Sequence, residues 1–293
     1  MNQQNIDFCF CTFASGKLYR DLVKNLIGDF KKYAPGIPVI LLTDKPSDFH
    51  DRHNDNLVIL GHKRQGILSY HERRFAIAYA LSKFNSCMYL DADVRICAPI
   101  PDKMLWSPGI TARSCTSLNK HFRERLDKTD PPRPNLLKEF IFYKDTAQKL
   151  GLDLEKDPMT FVNEFLFVVT RDNGKEVEFL EQWQKLALYA ELNKYHKHPA
   201  YAIGLAAAKV GFPIRHDTMD GLDFFDDRIE KVRIAKGQSD PDAKKQYFED
   251  QKTIELSNSS ILDKIIKKIS KKIEYTYHSL RLKLTVNIDD LNL

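Results

Sequence analysis

The chain has 293 residues, of which 43% are hydrophobic and 29% charged, with only 12 glycines and a formal net charge of +5. That length is enough to bury a sizeable core in one large or two modest domains, and the composition excludes a disordered or fibrous chain. No run approaches the ~18 apolar residues that a membrane-spanning helix needs. The first fifteen residues contain Asp7 and lack a basic start followed by an apolar stretch, so no signal peptide is expected.

Cysteine and charge placement narrow the class further. Cys9, Cys11, Cys87, Cys97 and Cys115 form no Cys-x-x-Cys pair, and several lie in apolar, strand-like runs. Buried free thiols in a reducing cytoplasm are expected, not a disulfide frame or a zinc site. Between Ser259 and Leu284, six lysines and Arg281 stand against Asp263 and Glu274, so the body before this segment is nearly neutral. A nucleic-acid-binding protein spreads basic residues over a binding face. Nucleic acid is therefore not expected as a partner.

In chain order, residues 6–13 have the pattern of a buried strand. Leu22, Leu26, Ile27 and Phe30 give residues 18–33 helical spacing, and Pro35-Gly36 breaks that helix. Strands are predicted at 39–42, 57–60 and 87–90, with a helix over 69–84. This βαββαβ run implies an α/β fold with a mostly parallel sheet covered by helices. Ligands bind beyond the carboxyl ends of such strands, so the loops after Phe13, Thr43 and Leu90 are expected to face one cleft.

The middle of the chain is less regular. Residues 128–135 (KTDPPRPN) read as a Pro-rich loop, 136–150 as a helix and 161–170 (FVNEFLFVVT) as one long strand. A helix through Trp183 and a small-residue helix over 202–210 follow, and 217–245 reads as loop with short elements. No internal repeat is visible, and no GxxxxGK[ST] phosphate loop occurs.

The run Met88-Tyr89-Leu90-Asp91-Ala92-Asp93 ends a strand with two carboxylates at its mouth. A hard divalent cation, Mn²⁺ or Mg²⁺, takes oxygen ligands, commonly one or two carboxylates together with substrate phosphate oxygens. A metal held there stabilises a diphosphate leaving group as its charge develops.

The layout resembles the GT-A fold of nucleotide-sugar glycosyltransferases. The blocks Thr12-Phe13-Ala14-Ser15-Gly16-Lys17, Thr43-Asp44-Lys45-Pro46, Glu72-Arg73-Arg74-Phe75 and Leu90-Asp91-Ala92-Asp93 resemble, in order, those of glycosyltransferase family 6. The arginines before the motif also resemble family 8. The likeness covers roughly residues 6–115 and implies a UDP-linked donor, a hexose or N-acetylhexosamine to be moved, and a glycan or lipid-linked glycan acceptor. It implies a catalytic domain over 1–255, with a nucleotide-sugar half at 1–115 and an acceptor half at 116–255, then a tail over 256–293.

Carried over by position, Thr12, Phe13 and Ala14 would lie against the nucleotide base. Arg73 or Arg74, the latter nearer the matching position, would reach the base or diphosphate with bidentate donors, the other being expected on a solvated helix face. Lys17 is expected to be an exposed lysine. Asp91 would serve both nucleotide and metal, beside Asp93, with His216 as third ligand and Asp217 or Asp220 behind it. Family 6 has an acidic pair before its late small-residue helix; here the stretch is Lys197-His198-Pro199-Ala200-Tyr201, with no acid. Glu164 then becomes the candidate beside the reacting sugar. Asn163 matches a family 8 position that contacts donor and acceptor. In a regular strand the two point to opposite faces, so one of them would serve the site unless a bulge intervenes.

Two other readings use the same motif: a non-catalytic GT-A-like domain that binds nucleotide sugar or membrane, and an Asp-x-Asp phosphatase. The phosphatase type places its motif on the first strand, whereas three strands precede it here. The tail carries Ile261, Leu262, Ile265, Ile266, Ile269 and Ile273 on one helical stripe, with Lys264, Lys267, Lys268, Lys271 and Lys272 around it. This pattern implies a helix lying on an anionic membrane surface, so a cytoplasmic, peripheral location is expected. The alternative is that the stripe packs on the catalytic domain.

Overall fold

A computed structural model describes residues 7–50, 56–101, 104–257, 261–288, 291 and 293. The elements run β1 (Phe8–Ala14), α1 (Lys17–Tyr33), β2 (Val39–Thr43), β3 (Leu57–Gly61), α2 (Arg73–Lys83), β4 (Ser86–Asp91) and β5 (Arg95–Ile96). They continue with β6 (Gly109–Ala112), β7 (Cys115–Ser117), α3 (Leu118–Leu126), α4 (Pro134–Lys149), β8 (Thr160–Val162) and β9 (Leu166–Thr170). The remainder is α5 (Lys175–Leu192), α6 (Pro199–Val210), β10 (Ile214–His216), β11 (Phe224–Phe225), α7 (Asp227–Ala235), α8 (Lys245–Ser257) and α9 (Ile261–Thr285). The fold is α/β with mostly parallel strand pairing, as the sequence predicts.

The chain forms two compact units, and the first comprises Met1–Arg64, Phe75–Leu105 and Met219–Thr276. Its sheet pairs β3 with β2, β2 with β1 and β1 with β4, all parallel. Every residue of β1 and β2 is buried, as is β4 up to Asp91. Such unbroken apolar runs belong to strands covered on both faces. Helix α1 buries Leu22, Val23, Leu26, Ile27 and Phe30, the stripe that its spacing predicts.

Asp29 on α1 is also buried. It accepts hydrogen bonds from Arg95 Nε at 2.6 Å and Nη2 at 2.9 Å, and from the Ile96 N–H at 3.1 Å. These bonds satisfy a buried carboxylate and fasten β5 to α1. Asp44, just after β2, accepts from the Gly16 N–H at 3.1 Å and from Arg20 Nη1 at 2.7 Å. It thereby fixes the turn that follows β1.

The second unit comprises Gln65–Arg74, Trp106–Thr218 and Tyr277–Leu293. Here β6 pairs antiparallel with β9 and parallel with β10, and β7 pairs antiparallel with β8. Its core is aromatic. Trp183 is fully buried, Phe122 stacks on Tyr201 at 4.4 Å, and Phe179 stacks on Phe212 at 5.0 Å. Helix α6 lies so close to β8 that a Cβ at Gly204 would fall 2.2 Å from the Thr160 carbonyl oxygen. Only a residue without a side chain allows that approach.

Two expectations need correction. Residues 161–170 are not one strand: β8 pairs with β7, β9 pairs with β6, and the chain turns at residues 163–165 between them. The helix expected over 69–84 starts as a 3₁₀ turn, Ser69–His71, and becomes α-helical at Arg73. The stretch 217–245, read as loop with short elements, holds β11 and the nine-residue α7. All five cysteines are free, and Cys9, Cys11 and Cys87 are buried, as anticipated. Of the stripe and lysines expected in the tail, the side chains of Ile261, Leu262, Lys264, Ile265, Ile266 and Lys267 lie outside the described residues.

Replacing Gly204 with Ala should push α6 away from β8 and cost about 1–3 kcal/mol of stability, the usual range for overpacking. A lower urea midpoint with an unchanged m-value is the expected reading.

Candidate functional site

In the first unit the register of β1 against β4 pairs Thr12 with Leu90 and Phe13 with Asp91, while Ala14 pairs with Thr43 on β2. The carboxyl ends of three parallel strands therefore lie along one edge, as the sequence predicts. Thr12 and Ala14 are fully buried, and Phe13 nearly so. The Phe13 ring meets His62 edge-on at 5.7 Å, and His62 in turn lies 4.8 Å from Phe75. This packing makes Phe13 part of the core at the strand end.

Asp91 ends β4 and accepts a hydrogen bond from the Tyr89 hydroxyl at 3.0 Å. The Val94 N–H donates to the Asp91 carbonyl oxygen at 3.0 Å, closing a tight turn through Ala92 and Asp93. Ala92 and Val94 are buried, whereas Asp91 and Asp93 are partly exposed. Strand β5 leaves this turn and pairs antiparallel with β11, Phe225 opposite Arg95. That pairing brings in Asp226, which caps α7 by accepting from the N–H groups of Arg228 at 3.0 Å and Ile229 at 2.9 Å.

The electrostatics tie the three aspartates together. Burial pushes the Asp93 carboxyl up to about 7, and the charges of Asp91 and then Asp226 push the same way, against Arg228. Asp226 is also raised, chiefly by burial, with its two N–H bonds opposing and Asp91 adding. Negative charge is thus concentrated at this strand mouth beyond what Arg228 offsets, the condition that a divalent cation relieves. Among the described residues, no group of three or more His, Cys, Asp or Glu side chains forms a metal cage. Two carboxylates completed by substrate phosphates and water match the usual way of holding Mg²⁺. The donor set fits a metal that binds together with a diphosphate.

Asp226 is the residue that sequence reasoning missed. Its signal was present: an apolar pair, Phe224-Phe225, then an aspartate directly before a helical run is an N-cap signature.

In the second unit the motif arginines are both buried, Arg73 at 7% exposure and Arg74 at 3%. Neither lies on a solvated helix face, which corrects that expectation. Arg73 Nη1 donates to the Glu164 carbonyl oxygen at 2.6 Å and its Nε to that of Tyr70 at 3.1 Å. Arg74 Nη1 donates to the His71 carbonyl oxygen at 2.7 Å, and its charge faces Glu72 and Glu191.

These two glutamates hold the loop before α2. Glu72 accepts from the N–H groups of Gln65 at 3.0 Å and Gly66 at 2.8 Å, and Glu191 of α5 accepts from those of Ile67 and Leu68. Burial pushes Glu191 up to about 7 despite those bonds, and Glu72 adds to the push while Arg74 opposes it. His71 is driven far down, by burial and then by Arg74 and Arg73. Nothing in the sequence marks Glu191, near the end of a long helix, as the anchor of a loop more than a hundred residues earlier.

Asn163 and Glu164 occupy the turn between β8 and β9, so strand alternation does not govern them. The Asn163 N–H donates to the Ser114 carbonyl oxygen at 2.9 Å. Glu164 is partly buried, and its charge adds to the upward push that burial and Glu139 exert on the hydroxyls of Tyr143 and Tyr201. His216 ends β10 and is exposed; it belongs to the second unit, whereas Asp91 and Asp93 belong to the first. Asp217 and Asp220 are exposed too. Lys17 is exposed and pairs with Asp21 at 3.1 Å, the bland role expected for it.

No protein-family model matches this sequence, and a search of curated proteins finds no match.

Because the Asp93 carboxyl is raised in the fold, folding favours its protonated form. Stability is greatest below its ordinary value near 4 and declines as pH rises toward 7. With no cation added, Asp93→Asn should therefore raise stability at pH 8, on the order of 2 kcal/mol after solvent screening, and the gain should shrink toward pH 4–5. Glu191 titrates in the same window, so the difference between variant and parent across pH, followed by thermal melting, isolates Asp93.

Proposed function

We propose that the protein is a metal-dependent glycosyltransferase that moves a sugar from a nucleotide-sugar donor, UDP-linked by preference, to a glycan or lipid-linked glycan acceptor. The observation that carries this reading is the pair Asp91 and Asp93 at the carboxyl end of a buried parallel strand, with Asp226 adding to the same negative field. The residue blocks that resemble glycosyltransferase family 6 point the same way, and this resemblance is the basis for preferring a GT-A fold.

In this reading Asp91 and Asp93 hold Mn²⁺ or Mg²⁺. When bound, the metal neutralises charge on the departing diphosphate. Tyr89 holds one Asp91 oxygen through its hydroxyl, which fixes the carboxylate's rotamer before donor arrives. The strand end at Thr12, Phe13 and Ala14 supplies a rigid rim for the base. Within the second unit, Arg73 braces the turn carrying Asn163 and Glu164 through the Glu164 carbonyl oxygen.

The test is metal-dependent release of UDP from UDP-sugars in the presence of candidate acceptors, preceded by a thermal-shift panel of UDP- and GDP-sugars with Mn²⁺. Asp91→Asn and Asp93→Asn should each reduce transfer by at least ~100-fold, the scale of losing an electrostatic stabiliser of a developing anion, while both proteins stay folded. Near-parental turnover in both variants, with metal still required, would sink the assignment. Activity on phosphomonoesters in place of sugar transfer would assign a phosphatase.

A further inference from the structure

Helix α9 runs for 25 residues, about 37 Å at 1.5 Å per residue. Along it Ile269, Ile273, Tyr277, Leu280 and Leu284 recur at intervals of four, four, three and four residues, and each is between 57% and 85% exposed. At ~100° per residue these five side chains fall within an arc of roughly 80°. Leu282, which is buried, lies roughly 180° around the helix from the centre of that arc. Arg281 donates to the Gln65 carbonyl oxygen, and Glu274 accepts from Arg64 Nη2 at 3.0 Å. The helix is therefore held to its own chain by its other sides, and the apolar stripe is left outward.

The surrounding charge is one-sided. Lys268, Lys271, Lys272 and Lys283 are all exposed, and helical spacing sets Lys272 and Lys283 directly beside the stripe. Between residues 268 and 285 the one acid is Glu274, whose carboxylate is engaged by Arg64.

We infer that this face docks on an anionic lipid surface, with α9 lying in the plane of the interface. The lysines decide the occupant. A second copy packed antiparallel on the stripe would bring the Lys272 and Lys283 edge against its own like charges, whereas anionic headgroups complement that edge. Tyr277 supplies a ring of the kind that settles at headgroup level. No helix among the described residues is long and apolar enough to cross a membrane, so the contact lies along the interface instead of spanning it. The inference stands on α9 alone and does not depend on the glycosyl-transfer reading.

The experiment is flotation of the full chain with vesicles of phosphatidylcholine plus phosphatidylserine, or of phosphatidylcholine alone. The parent should float with the anionic vesicles at low salt, less at high salt, and little with the neutral ones. The double variant Ile273→Glu, Leu280→Glu alters exposed positions and should keep the parent's melting temperature, yet float at least ~tenfold less. Lys272→Glu with Lys283→Glu should also weaken flotation. As a readout that leaves the stripe apolar, Tyr277→Trp should show blue-shifted emission with anionic vesicles only. Equal flotation of parent and stripe variant, no flotation of the parent, or an unshifted emission spectrum of the Tyr277→Trp variant would each overturn the inference. A parent dimer in sedimentation velocity that the stripe variant dissolves, without vesicle binding, would overturn it in favour of a second copy.

Discussion

The parallel pairing of β1 with β4 governs where chemistry can sit in the first unit. β1 is buried along its length and β4 up to Asp91, so their side chains are mostly apolar and their backbones are consumed by the ladder. Polar groups are pushed to the carboxyl ends, where the chain leaves the sheet. There the register sets Asp91 beside Phe13. Everything near that edge is then a matter of fixing loops. Asp44 restrains the turn after β1, and Asp29 restrains β5 through Arg95. With β5 fixed, its antiparallel partner β11 delivers Asp226 to the start of α7.

Among the described residues two carboxyls are pushed up to about 7, and they differ in what surrounds them. Glu191 is buried in a lattice of backbone N–H donors with Arg74 nearby, and its bonds hold the loop at residues 65–68 in place. Asp93 is opposed by the like charges of Asp91 and Asp226. The first arrangement holds a loop; the second sets like charges side by side at a strand end, with Arg228 opposing them. Perturbed groups mark functional sites and structural networks alike.

The first ninety residues were legible because their elements announce themselves by period. The stripe Leu22, Leu26, Ile27, Phe30 and the unbroken runs of β1, β2 and β4 leave one reading. The Asp91–Asp93 turn was legible as a strand end for the same reason. Other parts were hidden by physics that a linear pattern does not carry. The break between β8 and β9 has apolar residues on both sides and no Gly or Pro within it, so FVNEFLFVVT reads as one strand. Its two halves separate because they pair with different neighbours. The burial of Arg73 and Arg74 depends on Glu191 and on the turn at Glu164, contacts between residues about ninety or more apart in sequence. Asp226 lay in a charged, polar stretch whose helix is short and weakly patterned.

The glycine at position 66 carries a consequence for how this chain can diverge. A Cβ there would stand 2.5 Å from Glu191 Oε2 and 2.7 Å from Oε1, well inside van der Waals contact. Any side chain at 66 therefore displaces the carboxylate that caps Ile67 and Leu68. Shortening residue 191 to make room removes the acceptor and leaves those amides to find another. Positions 66 and 191, one in a loop and one near the end of α5, are thereby coupled: the room for a side chain at the first is set by where the second holds its carboxylate.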